Sequence, residues 1–231
     1  MLKPSVQTTE VMTAKINAGV TYLKQHLRKR TPEILVILGS GLGTFAKRLQ
    51  NAITIPFHNI PYFEPATSPG HAGRLVCGQA RGKSVMVMDG RTHFYEGFSM
   101  QDITLPIRVM HLLGIRKMII TNCGGGLSRN YKPGDIMVIN DHIGFLMGDD
   151  PLIGPNMDSF GPRFPDMSVP YDTEFKGLIH AVAKSLKVNI HDGVFCALSG
   201  PTFETPAEIL VIKSMDAGSI GMSTIPEVKV A

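Results

Sequence analysis

The sequence has 231 residues, of which 43% are hydrophobic and 18% are charged, and its formal net charge is +4. A chain of this length can bury a full core, and the composition is typical of a globular protein rather than a disordered one. No uninterrupted apolar run approaches the ~18 residues of a membrane-spanning helix. The three cysteines form no CxxC pair, so we expect reduced thiols in a cytoplasmic protein without structural zinc.

Part of the positive charge lies in the cluster Arg28-Lys29-Arg30, where the first predicted helix ends. Cations at that position complement the negative end of the helix dipole, which favours a solvated helix end over a nucleic-acid interface. We therefore expect no binding to nucleic acid or to a membrane. Small anionic substrates are compatible with this charge balance.

Helical and strand patterns alternate along the first half of the chain. Apolar residues recur at steps of three and four from Met12 to Leu27 and predict an amphipathic helix. The apolar run Ile34–Leu38 predicts a strand buried on both faces, as in a parallel or mixed sheet. The further elements predicted here are a short helix from Phe45, an edge strand at Ile53–Phe57, a hairpin of Arg74–Gln79 with Lys83–Asp89, a helix over Ile103–Leu113 with Pro106 near its start, and a strand at Lys117–Thr121.

The second half continues the alternation around one long loop, Gly144–Pro170, which we expect to be functional or to contact another subunit. Thr205-Pro206-Ala207-Glu208 combines an N-cap threonine, a first-turn proline and a third-position glutamate, so it predicts a helix start. The other elements predicted here are strands at Ile136–Asn140, Val194–Leu198 and Ser219–Ser223, a helix after the cap Asp172 to Leu186, and a helix end at Gly218.

This alternation predicts an α/β fold: a single-domain, three-layer α/β/α sandwich with a central mixed β-sheet over residues 1–231. Thr224-Ile225-Pro226-Glu227 repeats the capping-box spacing, yet the sequence stops at Ala231. Because so short a helix is unstable alone, we expect the domain to lack its C-terminal part.

The turn after the first strand carries three glycines at alternate positions, Gly39, Gly41 and Gly43, with Ser40 between the first two. Such a turn lets backbone N–H groups approach an anion, and the serine adds a hydroxyl donor. It is neither a Walker loop nor a dinucleotide fingerprint, since both the following residues and the glycine spacing differ. A tight turn without a ligand is the alternative.

Several donors lie beside glycines or at strand ends and could together bind a phosphate-sized dianion. The alternatives are that His71 is a mobile surface loop residue, that Arg91 forms a surface ion pair, and that His93 is a partly buried histidine with its hydrogen bonds satisfied. The set comprises Ser40, His71, Arg91, His93, Ser223 and the backbone amides near Cys123.

A second group suits a nucleoside rather than an anion. The Glu204 carboxylate could accept two N–H bonds from a planar heterocycle while Phe203 packs on its face. Tyr95 and Met222 offer surface suited to a sugar. Complementation of a helix dipole by Glu204, and a core position for Met222, are the alternatives.

Seven ordered motifs resemble those of purine nucleoside phosphorylases of the low-molecular-mass trimeric type, within the PNP/MTAP phosphorylase family. They are GSGLG (Gly39–Gly43), PGHAGRL (Pro69–Leu75), GRTHFYEG (Gly90–Gly97), TNCGGGL (Thr121–Leu127), GPRFPDMS (Gly161–Ser168), GPTFETPAE (Gly200–Glu208) and GMSTIPEV (Gly221–Val228).

The resemblance implies reversible phosphorolysis of 6-oxopurine nucleosides such as inosine and guanosine, in purine salvage. It implies inorganic phosphate as co-substrate, no metal or organic cofactor, catalytic roles for Glu204 and His93, and a homotrimer in which Phe164 closes a neighbouring ribose site. The implied phosphate ligands are Ser40, His71, Arg91, His93, Cys123 and Ser223, and the implied nucleoside ligands are Tyr95, Phe164, Phe203, Glu204 and Met222.

Two features depart from the family pattern. Cys123 stands where the family commonly has alanine, and a purine-binding asparagine and a ribose-binding histidine of the family would fall after Ala231. We therefore expect a polypeptide that ends at Ala231 to be nearly inactive and poorly folded. Methylthioadenosine phosphorylase and a non-catalytic nucleotide-binding protein are the alternative functions; a nicotinamide-linked oxidoreductase is disfavoured by the glycine spacing.

Overall fold

The computed structural model describes residues 6–231, and these residues form two compact units. The first unit comprises the described residues up to Cys123 together with Asp149–Arg163 and Pro226–Ala231. The second unit comprises Gly124–Gly148 and Phe164–Ile225. The single-domain organisation stays a prediction.

The first unit contains a five-stranded sheet in the order β2-β3-β4-β1-β5. Strand β1 is central and pairs in parallel with β4 and β5, whereas β3 pairs antiparallel with both β2 and β4. The sheet is therefore mixed, as the sequence predicted. Its strands are β1 (Ile34–Ile37), β2 (Gln50–Pro56), β3 (Arg74–Ala80), β4 (Lys83–Asp89) and β5 (Lys117–Ile120).

The predicted first helix is confirmed as α1 (Thr9–His26), which buries Met12, Ile16 and Leu23 in the core of the first unit. The second, α2 (Met100–Leu112), starts three residues earlier than predicted because the Ser99 hydroxyl accepts the Asp102 backbone N–H. Pro106 consequently lies inside the helix and not near its start, which corrects the prediction. The helix α5 (Ile225–Val230) contributes its residues from Pro226 onward to this unit.

The second unit contains a four-stranded sheet in the order β6-β9-β8-β7, also mixed. Asp172 caps its first helix as predicted, by accepting the Phe175 backbone N–H at 2.9 Å. Its elements are β6 (Gly125–Gly126), β7 (Ile136–Ile143), α3 (Thr173–Leu186), β8 (Ile190–Ala197), α4 (Pro206–Ser214) and β9 (Ala217–Gly221).

Gly218 does not end a helix, contrary to the prediction. Helix α4 ends at Ser214, and the chain reverses at Asp216, whose backbone φ is +60°. Gly218 lies inside β9, where a Cβ atom would be 3.1 Å from the Tyr131 hydroxyl and 3.2 Å from the Met137 sulfur. The glycine is therefore explained by close packing and not by a helix C-cap.

The α/β class is confirmed, but the strands within residues 6–231 are hydrogen-bonded as two mixed sheets, where the sequence suggested one. The local sequence of a strand such as β1 does not specify which later strand it pairs with, because strand order and register depend on tertiary contacts. No helix in the described part of the chain is long and apolar enough to span a bilayer.

Candidate functional site

The glycine turn after β1 lies against the end of β5. The Gly39 N–H donates to the Thr121 hydroxyl at 2.9 Å, and that hydroxyl donates to the Ile37 carbonyl at 2.9 Å. A Cβ on Gly39 would be 2.6 Å from the Asn122 Cα. Only glycine permits this approach, which brings Ser40 and the backbone leading to Cys123 to the same edge of the sheet.

His71 is held on both ring nitrogens. Its Nε2 lies 3.1 Å from the Ser40 hydroxyl. Its Nδ1 lies 2.9 Å from the Arg91 backbone nitrogen and 3.0 Å from the Arg91 carbonyl oxygen, so it accepts from the first or donates to the second according to tautomer. Burial lowers the pKa of His71, which favours the neutral ring. The ring orientation is therefore fixed by Arg91's backbone.

Gly90 makes room for that arrangement. Its φ is +103°, and a Cβ there would be 2.7 Å from the His71 Cβ and 3.0 Å from the His71 Cα. Both the backbone conformation and the contact exclude a side chain at this position. The loop after β4 can thus approach His71 only because residue 90 is glycine.

His93 lies in a cluster of aromatic and acidic groups. Its ring stacks on Tyr95 with centroids 4.8 Å apart, and its centroid is 5.0 Å from that of His71. Its Nδ1 is 3.1 Å from the Glu96 carboxylate and 3.2 Å from the Ser68 hydroxyl. Burial is the main cause that lowers the pKa of His93 to about 4, so the ring is neutral at neutral pH.

Glu96 was not among the predicted site residues, although its spacing from His93 is the signal of a capping box. Its carboxylate accepts the His93 backbone N–H at 2.6 Å and the Thr67 backbone N–H at 2.7 Å. Burial alone would raise its pKa, but hydrogen bonds from Thr67 and His93 hold the pKa below its usual value. Glu96 is therefore an anion that orients His93.

The Arg91 guanidinium is enclosed by protein, with a side chain that is 3% exposed. Its Nη1 donates to the Glu227 carboxylate at 3.3 Å, and its Nη2 donates to the Thr121 carbonyl oxygen. Burial is the main cause that lowers the pKa of Arg91. In the sequence Glu227 occupies the glutamate position of a capping-box pattern, and that local pattern gives no sign of this pair.

Arg74, another cation of the PGHAGRL motif, is engaged elsewhere. Its Nε and Nη2 both lie 2.8 Å from the same oxygen of Asp89, across the β3–β4 hairpin.

Within the first unit the structure brings together five of the predicted site residues: Ser40, His71, Arg91, His93 and Tyr95. Cys123 follows Asn122 after the end of β5.

The second unit carries the remaining predicted residues. Glu204 is half-buried near Cys196, whose pKa is raised to about 11 by burial first and then by the charge of Glu204. Phe203 is 87% exposed and Phe164 is 86% exposed. Met222 and Ser223 are both half-buried after β9, so Met222 is not a core residue.

Comparison with known proteins gives the same family that the motifs suggest. The profile of the phosphorylase superfamily matches residues 33–231. Purine nucleoside phosphorylase 1 of Bacillus subtilis is 47% identical over 220 residues, which cover 95% of this chain and 80% of the relative. The purine nucleoside phosphorylase of Bos taurus is 43% identical, with 91% and 74% covered.

This chain belongs to the purine nucleoside phosphorylase family. A solved structure of a family member, the Schistosoma mansoni purine nucleoside phosphorylase complexed with a novel monocyclic inhibitor, matches with a TM-score of 0.87 at 40% identity. The match covers 94% of this chain and 82% of the solved one. The site described above therefore lies in the fold of a nucleoside phosphorylase.

Replacement of Gly90 by alanine should destabilise the protein more than replacement of Gly82. Both glycines have positive φ, but a Cβ on Gly82 meets nothing within 4 Å, whereas one on Gly90 meets His71. The difference combines the steric contact with the larger φ of Gly90, and we expect it to be about 1–3 kcal/mol in the free energy of unfolding. Urea denaturation of the two variants measures it, and equal losses would contradict the contact.

The low pKa of His93 should make stability depend on pH. In the window between about 4 and 6.5 the unfolded histidine binds a proton and the folded one does not, so the free energy of unfolding should rise with pH. His71, whose pKa is also lowered, contributes in the same direction. His93→Gln should flatten this rise in urea denaturation from pH 4.5 to 7, and an unchanged slope would show that His93 is not buried in its neutral form.

Proposed function

We propose that this protein catalyses the reversible phosphorolysis of purine nucleosides such as inosine and guanosine, releasing the free base and ribose 1-phosphate. The observation that carries the proposal is the group of donors around Ser40, His71 and His93 at the sheet edge, in a chain of the purine nucleoside phosphorylase family. The Ser40 hydroxyl can donate, and the His71 Nε2–H can donate when Nδ1 accepts the Arg91 N–H, so both can bind a phosphate dianion without counter-ions of their own.

Phosphate is the co-substrate in this proposal, and no metal or organic cofactor takes part. During the reaction the sugar becomes cationic at C1′ while the purine leaves with negative charge. A phosphate held beside C1′ stabilises that cation electrostatically and then captures it as the nucleophile. The proposed phosphate ligands are Ser40, His71, Arg91, His93, Ser223 and the backbone at Cys123.

The proposed nucleoside ligands are Tyr95, Phe164, Phe203, Glu204 and Met222. Glu204 would accept hydrogen bonds from the purine and orient it, while the exposed ring of Phe203 would pack on its face. The neutral His93 ring carries one N–H, which its Nδ1 donates to Glu96, so it would present Nε2 to the reacting groups as a hydrogen-bond acceptor. Glu204 and His93 are thus the proposed catalytic residues.

We further propose a homotrimer in which Phe164 closes the ribose site of a neighbouring subunit. The exposure of this aromatic ring, on a loop that has no long helix or strand, supports the proposal. Light scattering of the full-length protein should give three times the chain mass, and a monomer mass would contradict it. The cytoplasmic location stays a prediction.

The decisive experiment compares nucleosides in the presence and absence of phosphate. The full-length protein should release hypoxanthine from inosine only when phosphate is added, with little release of adenine from methylthioadenosine. Activity on methylthioadenosine alone would assign the alternative phosphorylase function, which the purine nucleoside phosphorylase relatives do not favour. Binding of inosine without turnover would indicate a non-catalytic protein.

Two glutamates of one helix start provide a matched pair of variants. Glu204→Gln should lower kcat/KM for inosine by about 10²–10³, because it removes an acceptor placed for the purine. Glu208→Gln alters the capping box, in which Glu208 accepts the Thr205 N–H at 2.6 Å, and should change stability with little effect on kcat/KM. Similar kinetics in both variants would refute the role of Glu204.

A further inference from the structure

The Arg91 guanidinium and the Glu227 carboxylate form a buried ion pair between residues 136 positions apart in the sequence. Their side chains are 3% and 8% exposed. Glu227 belongs to α5 and Arg91 to the loop after β4, and both lie in the first unit. Glu227 is not among the predicted phosphate or nucleoside ligands.

The pair determines how the guanidinium is oriented. Nη1 is bound by Glu227, and Nη2 is bound by the Thr121 carbonyl at the end of β5. A guanidinium is planar and carries five N–H donors in fixed directions. Fixing two of its nitrogens therefore fixes the plane in which every other donor points.

We infer that Glu227 is a positioning residue, which holds the Arg91 guanidinium in the orientation that phosphate binding requires. The inference rests on the proposed function, because it assumes that Arg91 contacts phosphate. Glu227 itself does not touch the substrate in this proposal. Its effect is transmitted by the position of Arg91 alone.

A purely electrostatic role would have the opposite sign. The carboxylate reduces the positive charge that a phosphate dianion meets, so its neutralisation without movement of Arg91 would tighten phosphate binding. Loss of positioning would weaken phosphate binding and leave the nucleoside unaffected. The direction of the change therefore separates the two roles.

The test uses Glu227→Gln and Glu227→Asp in the full-length protein. We expect KM for phosphate to rise roughly tenfold or more in Glu227→Gln, since a charge-assisted contact that orients the guanidinium is weakened. KM for inosine at saturating phosphate should change by less than about twofold. Glu227→Asp retains the charge and should recover part of the phosphate KM, and it carries the test if the glutamine variant does not fold.

The matched control is Asp102→Asn, which breaks the Lys15–Asp102 ion pair at 2.8 Å. This pair lies in the same unit, and neither residue is a proposed ligand of phosphate or nucleoside. It should lower stability and leave KM for phosphate unchanged. An unchanged or lower KM for phosphate in Glu227→Gln, or equal changes in both KM values, would overturn the inference.

A binding measurement separates this inference from the proposed function. Phosphate should raise the melting temperature of the unmodified protein and raise it less in Glu227→Gln. If phosphate raises the melting temperature less in Glu227→Gln but the unmodified protein releases no base, the proposed function fails and the positioning role stands. If phosphate stabilises both proteins equally, the positioning role fails whatever the catalytic activity.

Discussion

The buried charge of Arg91 constrains how the elements of the first unit pack around it. Transfer of an ion from water into a protein interior costs several kcal/mol even after relaxation, on the order of magnitude of a whole domain's stability. Glu227 supplies the opposite charge, and the Thr121 carbonyl supplies a hydrogen bond. Since removal of one partner of such a pair typically costs about 3–5 kcal/mol, the last helix and the end of β5 are energetically coupled to the loop that carries Arg91.

Close backbone approach is the second condition for this arrangement. Gly39 lies against the backbone of Asn122, and Gly90 lies against His71, so that strand ends and loops meet without intervening side chains. The space saved at these two positions is what lets Ser40, His71 and Arg91 converge at one edge of the sheet. Packing at the glycines and hydrogen bonding at the donors are therefore parts of one arrangement.

Local signals in the sequence predicted most elements well. The periodicity of α1, the Asp172 cap and the β3–β4 hairpin are all present, because each depends on residues close together in the chain. The prediction of a helix end at Gly218 was wrong, because glycine occurs both at helix ends and at tightly packed positions in strands. The division of the strands into two sheets was not predictable, because strand order is decided by contacts distant in sequence.

The candidate site shows the same limit. Residues such as His71 and His93 were identified from motifs with nearby glycines, and the structure brings their rings within 5.0 Å of each other. The spacing of Glu96 from His93 could have revealed their hydrogen bond. Glu227 could not have been found in this way, because nothing in a local pattern specifies a partner 136 residues away.

The charges of the first unit indicate how a phosphate would be recognised there. Arg91 is balanced by Glu227, and Glu96 remains an anion beside His93, so the donors are not surrounded by an excess of positive charge. Burial keeps both histidines neutral. If the site binds phosphate as proposed, oriented hydrogen bonds rather than a strongly positive field would provide the selectivity for phosphate, and those bonds would depend on the positions that Glu96 and Glu227 impose.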